Sequence, residues 1–496
     1  MNAGVRFPLS SGTSNAGGSC PPKREGDGGF THSAKSDSDL VPMNSTLSQA
    51  GGKSLTRRVP IMIGCLALLT ALAALWPVYR AFLNIEIDTN EGWNAYYADA
   101  AMGRMPLYPS AHQLIANNYP PLSFYIVGSL GRLIGDPVLA GRLLSLAAVL
   151  VIAWGVFRAV RLLGGDATSA GIGALFFGAT MCRFFTSYVG MDDPHLLAQA
   201  VMTLGFVAFL QARSRDRGYA LSILLMVGAG FIKHNIVVMP LTAIIWLGIN
   251  RPRQMVKSAL LAAFTIVLGF ALCYLAFGPD FFSNLRSPRA YMLKHAIGAV
   301  GHLQWIVVGL AAWVYVGITR RADPNIRFCN LLNTLGLVMF FVQKTGDGVA
   351  YNAQFELVFG VSIATGLAFA HAPVLSLARR WSPEKLQFMF LLAICLRLVA
   401  SARLEPVKLL IDPDFHAEIV AREAAMSTTV ARLRNTPGDT TCSSTLANYR
   451  AGKPFNVDPF YTRQQILTGN LPPDAIAKLI DTGKLTAVEA DPLLHW

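Results

Sequence analysis

Apolar runs of membrane-spanning length recur along the chain from about residue 60 to about residue 402. A hydrocarbon core about 30 Å thick needs roughly 20 apolar residues in a helix that crosses it. The runs therefore predict an all-α polytopic membrane protein with about eleven crossings. The predicted crossings are residues 60–76, 138–157, 167–188, 195–212, 219–232, 235–249, 257–277, 302–318, 328–343, 354–375 and 386–402.

Residues 120–135 are also apolar, but this run is short for a crossing and is predicted to be a helix at the outer surface or a partly re-entrant one. Without it, every basic cluster falls on the same side of the membrane, which the positive-inside rule assigns to the cytoplasm. These clusters are Arg158 and Arg161; Arg213, Arg215 and Arg217; Arg251, Arg253 and Lys257; Arg320, Arg321 and Arg327; and Arg379, Arg380 and Lys385. The topology predicts a multi-pass protein of a bacterial-type inner (plasma) membrane with a cytoplasmic N-terminus.

Three regions differ in composition. Residues 1–57 are rich in Gly, Ser, Asn and Pro and are predicted to be a disordered cytoplasmic segment. Residues 58–403 form the predicted transmembrane domain, with a large first extracytoplasmic loop at about 78–137. Residues 404–496 predict a small extracytoplasmic α/β domain, which either caps the outer face or recognises an acceptor.

The overall composition excludes several classes of protein. Hydrophobic residues make up 53% of the chain and charged residues only 14%, whereas a soluble domain has roughly 25% charged residues. The net charge of +13 comes from loops that face an anionic leaflet, so we predict no nucleic acid partner. The seven cysteines show no paired spacing, which argues against a disulfide framework or a zinc site. We predict no metal and no cofactor.

Acidic residues stand out at the predicted outer face. Asp88 and Glu91 directly follow the first crossing, and Asp192 lies in the next outer loop. Asp88 and Glu91 are three positions apart, so both would project to one side of a helical turn. The ordinary alternatives are a solvated loop and, for Asp192-Asp193-Pro194, a helix cap. As exposed loop carboxylates, all three are expected to contribute little to folding.

The segments around these acids resemble those of the polyprenyl-phosphate-sugar-dependent glycosyltransferases of the GT-C class. This group includes protein O-mannosyltransferases and lipid A aminoarabinose transferases. The matching segments are Asn90-Glu91, Gly103-Arg104-Met105-Pro106-Leu107-Tyr108, Tyr119-Pro120-Pro121-Leu122, Gly135-Asp136, Arg142-Leu143 and Asp192. The family typically has Asp-Glu where this chain has Asn90-Glu91, so the resemblance does not decide which carboxylate is the base.

The resemblance implies a GT-C-like fold and a membrane glycosyltransferase. Such an enzyme moves a hexose or pentose from a polyprenyl-phosphate donor to an envelope glycan, lipid or protein, with an acidic general base. Asp88, Glu91 and Asp192 are the candidate catalytic residues, and Asp88 ranks first because it is nearest the membrane. The candidate substrate-binding residues are Lys233, His234, Arg289, Lys294, Tyr119, Asp347 and Asn352.

Each substrate-binding candidate has an ordinary alternative. Lys233 and His234 lie between two apolar runs, where a charge is costly, but the lysine would also be explained by snorkelling to the surface. Arg289 and Lys294 fit plain loop charges, and the glycines around Asp347 fit a simple turn. Two other functions stay open: a polytopic lipid or sugar transporter or flippase, and an inactive relative. Sugar transfer from a polyprenyl-phosphate donor would distinguish all three.

Overall fold

The computed structural model describes residues 46–110, 113–215, 218–372, 382–400 and 403–494, with side chains from residue 58 onward. The predicted disorder of residues 1–45 and the basic residues Arg217, Arg379 and Arg380 lie outside the described residues. Residues from Gly52 onward form one compact unit. The first helices are α1 Thr46–Arg80, α2 Asn90–Ala101, α3 Leu122–Ile134, α4 Pro137–Leu162, α5 Ala167–Phe184, α6 Pro194–Arg215, α7 Ala220–Ile232 and α8 Val238–Asn250.

The second half of the chain continues the same pattern. Its helices are α9 Pro252–Phe277, α10 Asp280–Leu285, α11 Leu293–Gly298, α12 Val307–Thr319, α13 Pro324–Lys344, α14 Phe355–His371, α15 Pro383–Val399, α16 Glu405–Ile411, α17 Pro413–Asn435, α18 Thr445–Arg450, α19 Pro459–Leu467 and α20 Ala475–Asp481. Short 3₁₀ helices cover Thr186–Tyr188, Ala299–Ile306, Tyr351–Gln354 and Pro492–Leu494.

Asp-Pro dipeptides explain where many of these helices begin. In α4, Asp136 is the residue before Pro137, and its carboxylate accepts a hydrogen bond from the backbone N–H of Val138 at 2.9 Å. Proline has no N–H and its φ already suits a first helical position, so Asp-Pro caps and starts a helix at once. The same capping starts α6 at Asp193, α13 at Asp323, α17 at Asp412 and α19 at Asp458.

Seven helices among the described residues are long and apolar enough to cross a membrane: Arg58–Arg80, Pro137–Leu162, Pro194–Arg215, Pro252–Phe277, Leu293–Thr319, Pro324–Lys344 and Tyr351–His371. Shorter apolar helices are α3, α7 and α8. The mostly helical membrane fold is thus confirmed, and the number of eleven crossings stays a prediction.

One boundary differs from prediction. The first helix begins at Thr46, inside the segment predicted to be disordered up to residue 57. Residues 46–57 contain no proline that would end the helix before it reaches the apolar run. Composition alone therefore placed this boundary too late.

Helix α14 lies at the centre of the bundle, since 94% of the most apolar stretch within Tyr351–His371 is buried. Helix α9 lies at the periphery, since only 6% of its most apolar stretch is buried. Glycines let α14 and α5 approach closely. A Cβ atom at Gly366 would lie 2.7 Å from the carbonyl oxygen of Ser169. Small residues have this role between membrane helices, because packing rather than water exclusion holds such helices together.

The C-terminal residues 403–494 contain α16 to α20 and two strands, β1 Thr440–Cys442 and β2 Thr486–Val488. The strands pair in parallel, with Thr440 opposite Thr486. Helix α18 packs so closely on α2 that a Cβ atom at Gly92 would lie 2.3 Å from the backbone nitrogen of Leu446. The division into a separate C-terminal domain stays a prediction.

Candidate active site

Glu91 lies in the interior rather than on an exposed loop. Its side chain is 0% exposed and forms a bidentate ion pair with Arg142 of α4, with Nε–Oε1 and Nη2–Oε2 both 2.7 Å. Arg142 also donates to the carbonyl oxygens of Leu83 at 2.8 Å and Ile85 at 2.6 Å. The expectation that Glu91 contributes little to folding is therefore wrong, because the pair holds the loop between α1 and α2 against α4.

Asp192 is buried beside this pair, with 2% of the residue exposed. Its backbone N–H donates to Glu91 Oε1 at 3.2 Å. A Cβ atom on Gly141 of α4 would lie 1.8 Å from Asp192 Oδ1, so only glycine leaves room for the carboxyl group. Among the described residues, Asp192 Oδ2 has no hydrogen-bond partner. Burial, and then the charge of Glu91, raise the pKa of Asp192 well above its usual range. Asp192 is thus not the exposed carboxylate that was expected.

Asp193, the next residue, pairs with Lys233. The distance from Lys233 Nζ to Asp193 Oδ1 is 3.1 Å, and their side chains are 2% and 5% exposed. Asp193 Oδ1 also accepts from the N–H of His195 at 2.7 Å, so one carboxylate caps α6 and balances the lysine. Snorkelling of Lys233 to the surface is therefore wrong. Sequence reasoning considered Asp193 only as a helix cap, and the apolar surroundings of Lys233 were the available signal that it needs a partner.

Asp88 is the least enclosed of the three predicted acids. It is half-buried, and its Oδ1 accepts from the N–H of Asn90 at 3.0 Å, just before α2. Burial raises the pKa of Asp88 above its usual range, and the nearby carboxylates of Asp193 and Glu91 add to the effect. A carboxyl group with a raised pKa is closer to the ideal of a general base at neutral pH.

Aromatic rings lie beside the Asp193–Lys233 pair. Lys233 Nζ lies 4.6 Å from the ring centroid of Tyr119, which in turn lies 5.2 Å from Trp93 and 6.5 Å from His234. Trp93 Nε1 donates to Asp458 Oδ2 of the C-terminal residues at 3.1 Å. Tyr119 and His234, both predicted to bind substrate, are thus brought next to the Asp193–Lys233 pair.

A second group of predicted residues contacts the C-terminal helix α19. Asp347 accepts from Arg463 Nη2 at 3.1 Å and from Gln464 Nε2 at 2.7 Å. The guanidinium carbon of Arg289 lies 5.4 Å from the ring centroid of Phe460. Asp347 is therefore occupied by α19.

Two predicted residues have different positions again. Asn352 Nδ2 lies 3.3 Å from His195 Nδ1, which links the start of α14 to the start of α6. Lys294 is exposed on α11, and the described residues show no contact between it and Asp88, Asp193 or Lys233. Within the part of the chain that the structure describes, no three His, Cys, Asp or Glu side chains gather as a metal site would require.

Comparison with known proteins adds to this geometry. Residues 118–277 match the family model of dolichyl-phosphate-mannose-protein mannosyltransferases. ArnT from Cupriavidus metallidurans bound to undecaprenyl phosphate has a similar fold, with a TM-score of 0.56 at 13% identity over 84% of this chain and 91% of that one. Its apo structure gives a TM-score of 0.54 at 12% identity over 84% of this chain and 94% of that one. This chain has the GT-C glycosyltransferase fold.

The predicted resemblance is thereby confirmed, and the family match and the fold together support a glycosyltransferase of the GT-C class. An oligosaccharyltransferase from Archaeoglobus fulgidus has a TM-score of only 0.46 at 13% identity, with 81% of this chain and 65% of that chain covered. No curated protein matches the sequence significantly.

Proposed function

We propose that this protein transfers a sugar from a polyprenyl-phosphate donor to a cell-envelope acceptor, at the extracytoplasmic ends of its membrane helices. The family match names a dolichyl-phosphate-mannose enzyme, and one similar structure holds undecaprenyl phosphate. Both support a lipid-phosphate donor. The basic loops support an inner-membrane protein with a cytoplasmic N-terminus and C-terminal residues on the outer side.

The observation that carries this proposal is the position of Asp88 beside the Asp193–Lys233 pair. Glu91 is held by Arg142, Asp192 is buried against Gly141, and Asp193 is held by Lys233. Asp88 alone of these acids is half-buried and, among the described residues, forms no ion pair with a cation. It is the group best able to accept a proton from a bound acceptor.

The reaction needs little beyond such a base. The acceptor hydroxyl or amine attacks the anomeric carbon while Asp88 takes its proton. The bond between that carbon and the phosphate oxygen breaks, and its electron pair leaves with polyprenyl phosphate. A cation must then stabilise the phosphate that departs.

Lys233 and Arg289 are the proposed cations. Lys233 is balanced by Asp193 in this structure, so its hydrogen bonds must be shared with the donor phosphate when the donor binds. Arg289 is half-buried and, among the described residues, pairs with no carboxylate. Tyr119 and His234 lie near the Asp193–Lys233 pair, and Asn352 contacts His195, two residues after Asp193. These three residues are the proposed contacts of the sugar.

The test is transfer by the purified full chain in liposomes, with a radiolabelled polyprenyl-phosphate sugar and an envelope extract as acceptor. We expect label in an acceptor fraction and release of polyprenyl phosphate. Asp88→Asn should abolish most of this transfer, whereas Asp481→Asn, an exposed carboxylate at the end of α20, should not. Movement of intact donor across the bilayer without bond cleavage would instead support the transporter alternative.

A further inference from the structure

A cavity of about 700 Å³ lies outside the candidate active site. It is open to the surface and is bordered by the chain that follows α1, the start of α4, and the C-terminal helices α17 and α18. One part of its lining is apolar, with Phe82, Leu139 and Val430. Another part is basic, with Arg104, Arg434 and Arg450. Such a cavity suits a ligand that has both an apolar part and a negative charge.

The basic part of the lining has an unbalanced charge. Arg450 pairs with Asp136 at 3.0 Å, and Arg104 pairs with Asp99 at 2.6 Å while its side chain stays 72% exposed. Arg434 is exposed and, within the described part of the chain, its side chain donates only to the carbonyl oxygen of Arg450, at 3.3 Å. Among the described residues no carboxylate offsets Arg434, so the cavity presents a net positive charge to a ligand.

The cavity lies where membrane helices end. Phe82, 62% exposed, comes two residues after the last residue of α1, and Pro137 in the lining is the first residue of α4. Both helices are of membrane-spanning length. The ends of spanning helices lie at the level of lipid headgroups, so the basic side chains are placed at the height of lipid phosphates.

A buried ion pair separates the cavity from the candidate active site. Arg142 lines the cavity, while its guanidinium group holds the carboxylate of Glu91, which is 0% exposed. The groups around Asp88 are not part of the lining. The cavity is therefore not the place at which we put the donor phosphate.

We propose that this cavity binds the phosphate-bearing headgroup of an anionic membrane lipid, with Arg434 and Arg104 as its principal cations. Arginine suits a phosphate because its planar group can donate two parallel hydrogen bonds. The apolar wall of Phe82 and Leu139 receives the upper part of the acyl chains. A free phosphate would use only the charges and leave this wall unused.

The first experiment measures lipid binding by native mass spectrometry of the full chain in detergent, titrated with phosphatidylglycerol or with phosphatidylcholine. We expect one phosphatidylglycerol to bind several-fold more tightly than phosphatidylcholine. Arg434→Gln should weaken that binding about fivefold, the contribution of one basic side chain near an anionic lipid surface. Arg432→Gln is the matched control, since Arg432 is an exposed arginine of the same helix that does not line the cavity.

A second variant tests the cavity without a change in charge. Ala431→Trp places a bulky side chain in the lining, and Ala424→Trp places one at an exposed position of α17 outside it. Only Ala431→Trp should lower phosphatidylglycerol binding, with the unfolding midpoint of each variant measured alongside. Equal binding of both lipids, equal effects of Arg434→Gln and Arg432→Gln, or full competition by inorganic phosphate at millimolar concentration would each overturn the proposal. None of these readouts depends on sugar transfer.

Discussion

Two acidic regions of this protein, one at Glu91 and Asp192 and the other at Asp88, have different surroundings. Glu91 and Asp192 lie in the interior, where Arg142 donates two hydrogen bonds to Glu91. Asp88 is half-buried, and its carboxyl group interacts with that of Asp193, the partner of Lys233. Asp88 and Glu91 are only three positions apart in sequence, yet Glu91 is enclosed and Asp88 is half-buried.

Burial gives these similar side chains different roles. A buried charge is costly unless it is paired and hydrogen-bonded, and a pair that meets these needs has no hydrogen bonds left for a substrate. Glu91 therefore stabilises the packing of the loop between α1 and α2 against α4. Asp88 is half-buried, so its carboxylate stays available to accept a proton from a substrate.

The largest expected effect is on catalysis by Asp88→Asn. The amide keeps the shape of the side chain but cannot accept a proton, so turnover should fall about 10²–10⁴-fold. Folding should change little, because the only hydrogen bond of the Asp88 carboxylate to a described residue is the local one from the N–H of Asn90. Transfer assays and thermal unfolding of the same preparation measure both. Normal turnover in a folded Asp88→Asn protein would show that another group is the base.

Glu91→Ala should have the opposite signature. It leaves the Arg142 guanidinium buried without its partner, which typically costs about 3–5 kcal/mol. We expect a large fall in the unfolding midpoint in detergent, followed by loss of activity because the loop is no longer held. Asp474→Ala, which removes an exposed i,i+4 pair with Lys478, is the control and should change stability little. A stable and inactive Glu91→Ala protein would instead assign chemistry to Glu91.

The Lys233 prediction needs a paired change, because Lys233→Ala alone would leave Asp193 buried without its cation. Lys233→Met with Asp193→Asn removes both charges, and asparagine can still cap α6. Loss of a charge-assisted contact to phosphate costs about 1.5–3 kcal/mol. Donor affinity should therefore fall roughly ten- to a hundred-fold, as measured by titration with a labelled donor. Unchanged affinity in the folded double variant would leave Lys233 with a structural role only.

A smaller effect concerns pH and the C-terminal residues. Glu86 accepts from the N–H of Leu446 at 2.9 Å, and burial raises its pKa to about 7. Its pKa is thus higher folded than unfolded, so its contribution to stability is complete at low pH and is lost as pH rises through about 7. Burial raises the pKa of Asp458 to about 6, with the same sign.

We expect the unfolding midpoint to fall by a few degrees between pH 5.5 and pH 8, and the fall to be smaller in Glu86→Gln. Hydrogen exchange of residues 440–450 at the two pH values would localise the effect. If Glu86→Gln keeps the full pH dependence, another group is responsible.

The smallest effect is expected for Asp192→Asn. Burial raises the pKa of Asp192 well above its usual range and so favours the neutral acid, whose shape is close to that of asparagine. Turnover and stability should stay within about 1 kcal/mol of the wild-type values. Gly141→Ala, which would press on the same carboxyl group, is the contrasting variant and should destabilise the protein clearly. A large loss of turnover in a folded Asp192→Asn protein would restore Asp192 as the base.

Some features of this protein were predictable because they are local. The apolar runs gave the membrane class, the Asp-Pro dipeptides mark helix starts, and the motif Tyr119-Pro120-Pro121-Leu122 carried the resemblance. A helix start is specified within a few neighbouring residues, and a crossing needs only its own length of apolar chain. The candidate acids Asp88, Glu91 and Asp192 were also found, since charge next to a membrane segment is conspicuous.

Partners across the fold were not predictable in the same way. The sequence indicated Arg142 only as part of a motif. Its pairing with Glu91 was not predicted, because the two residues are 51 positions apart. Asp193 and Lys233 are 40 positions apart, and Trp93 and Asp458 are 365 apart. No local pattern encodes which of two neighbouring aspartates, Asp192 or Asp193, faces a lysine.

The membrane class and many of the helix starts follow from the chain alone, because hydrophobic length and capping act over short stretches of chain. Which carboxylates are enclosed depends instead on tertiary packing. Burial depends on what packs against a residue from elsewhere, and here α4 closes over Glu91 while the loop at Asp88 stays half-open. The ionisation and accessibility of each acid follow from that packing.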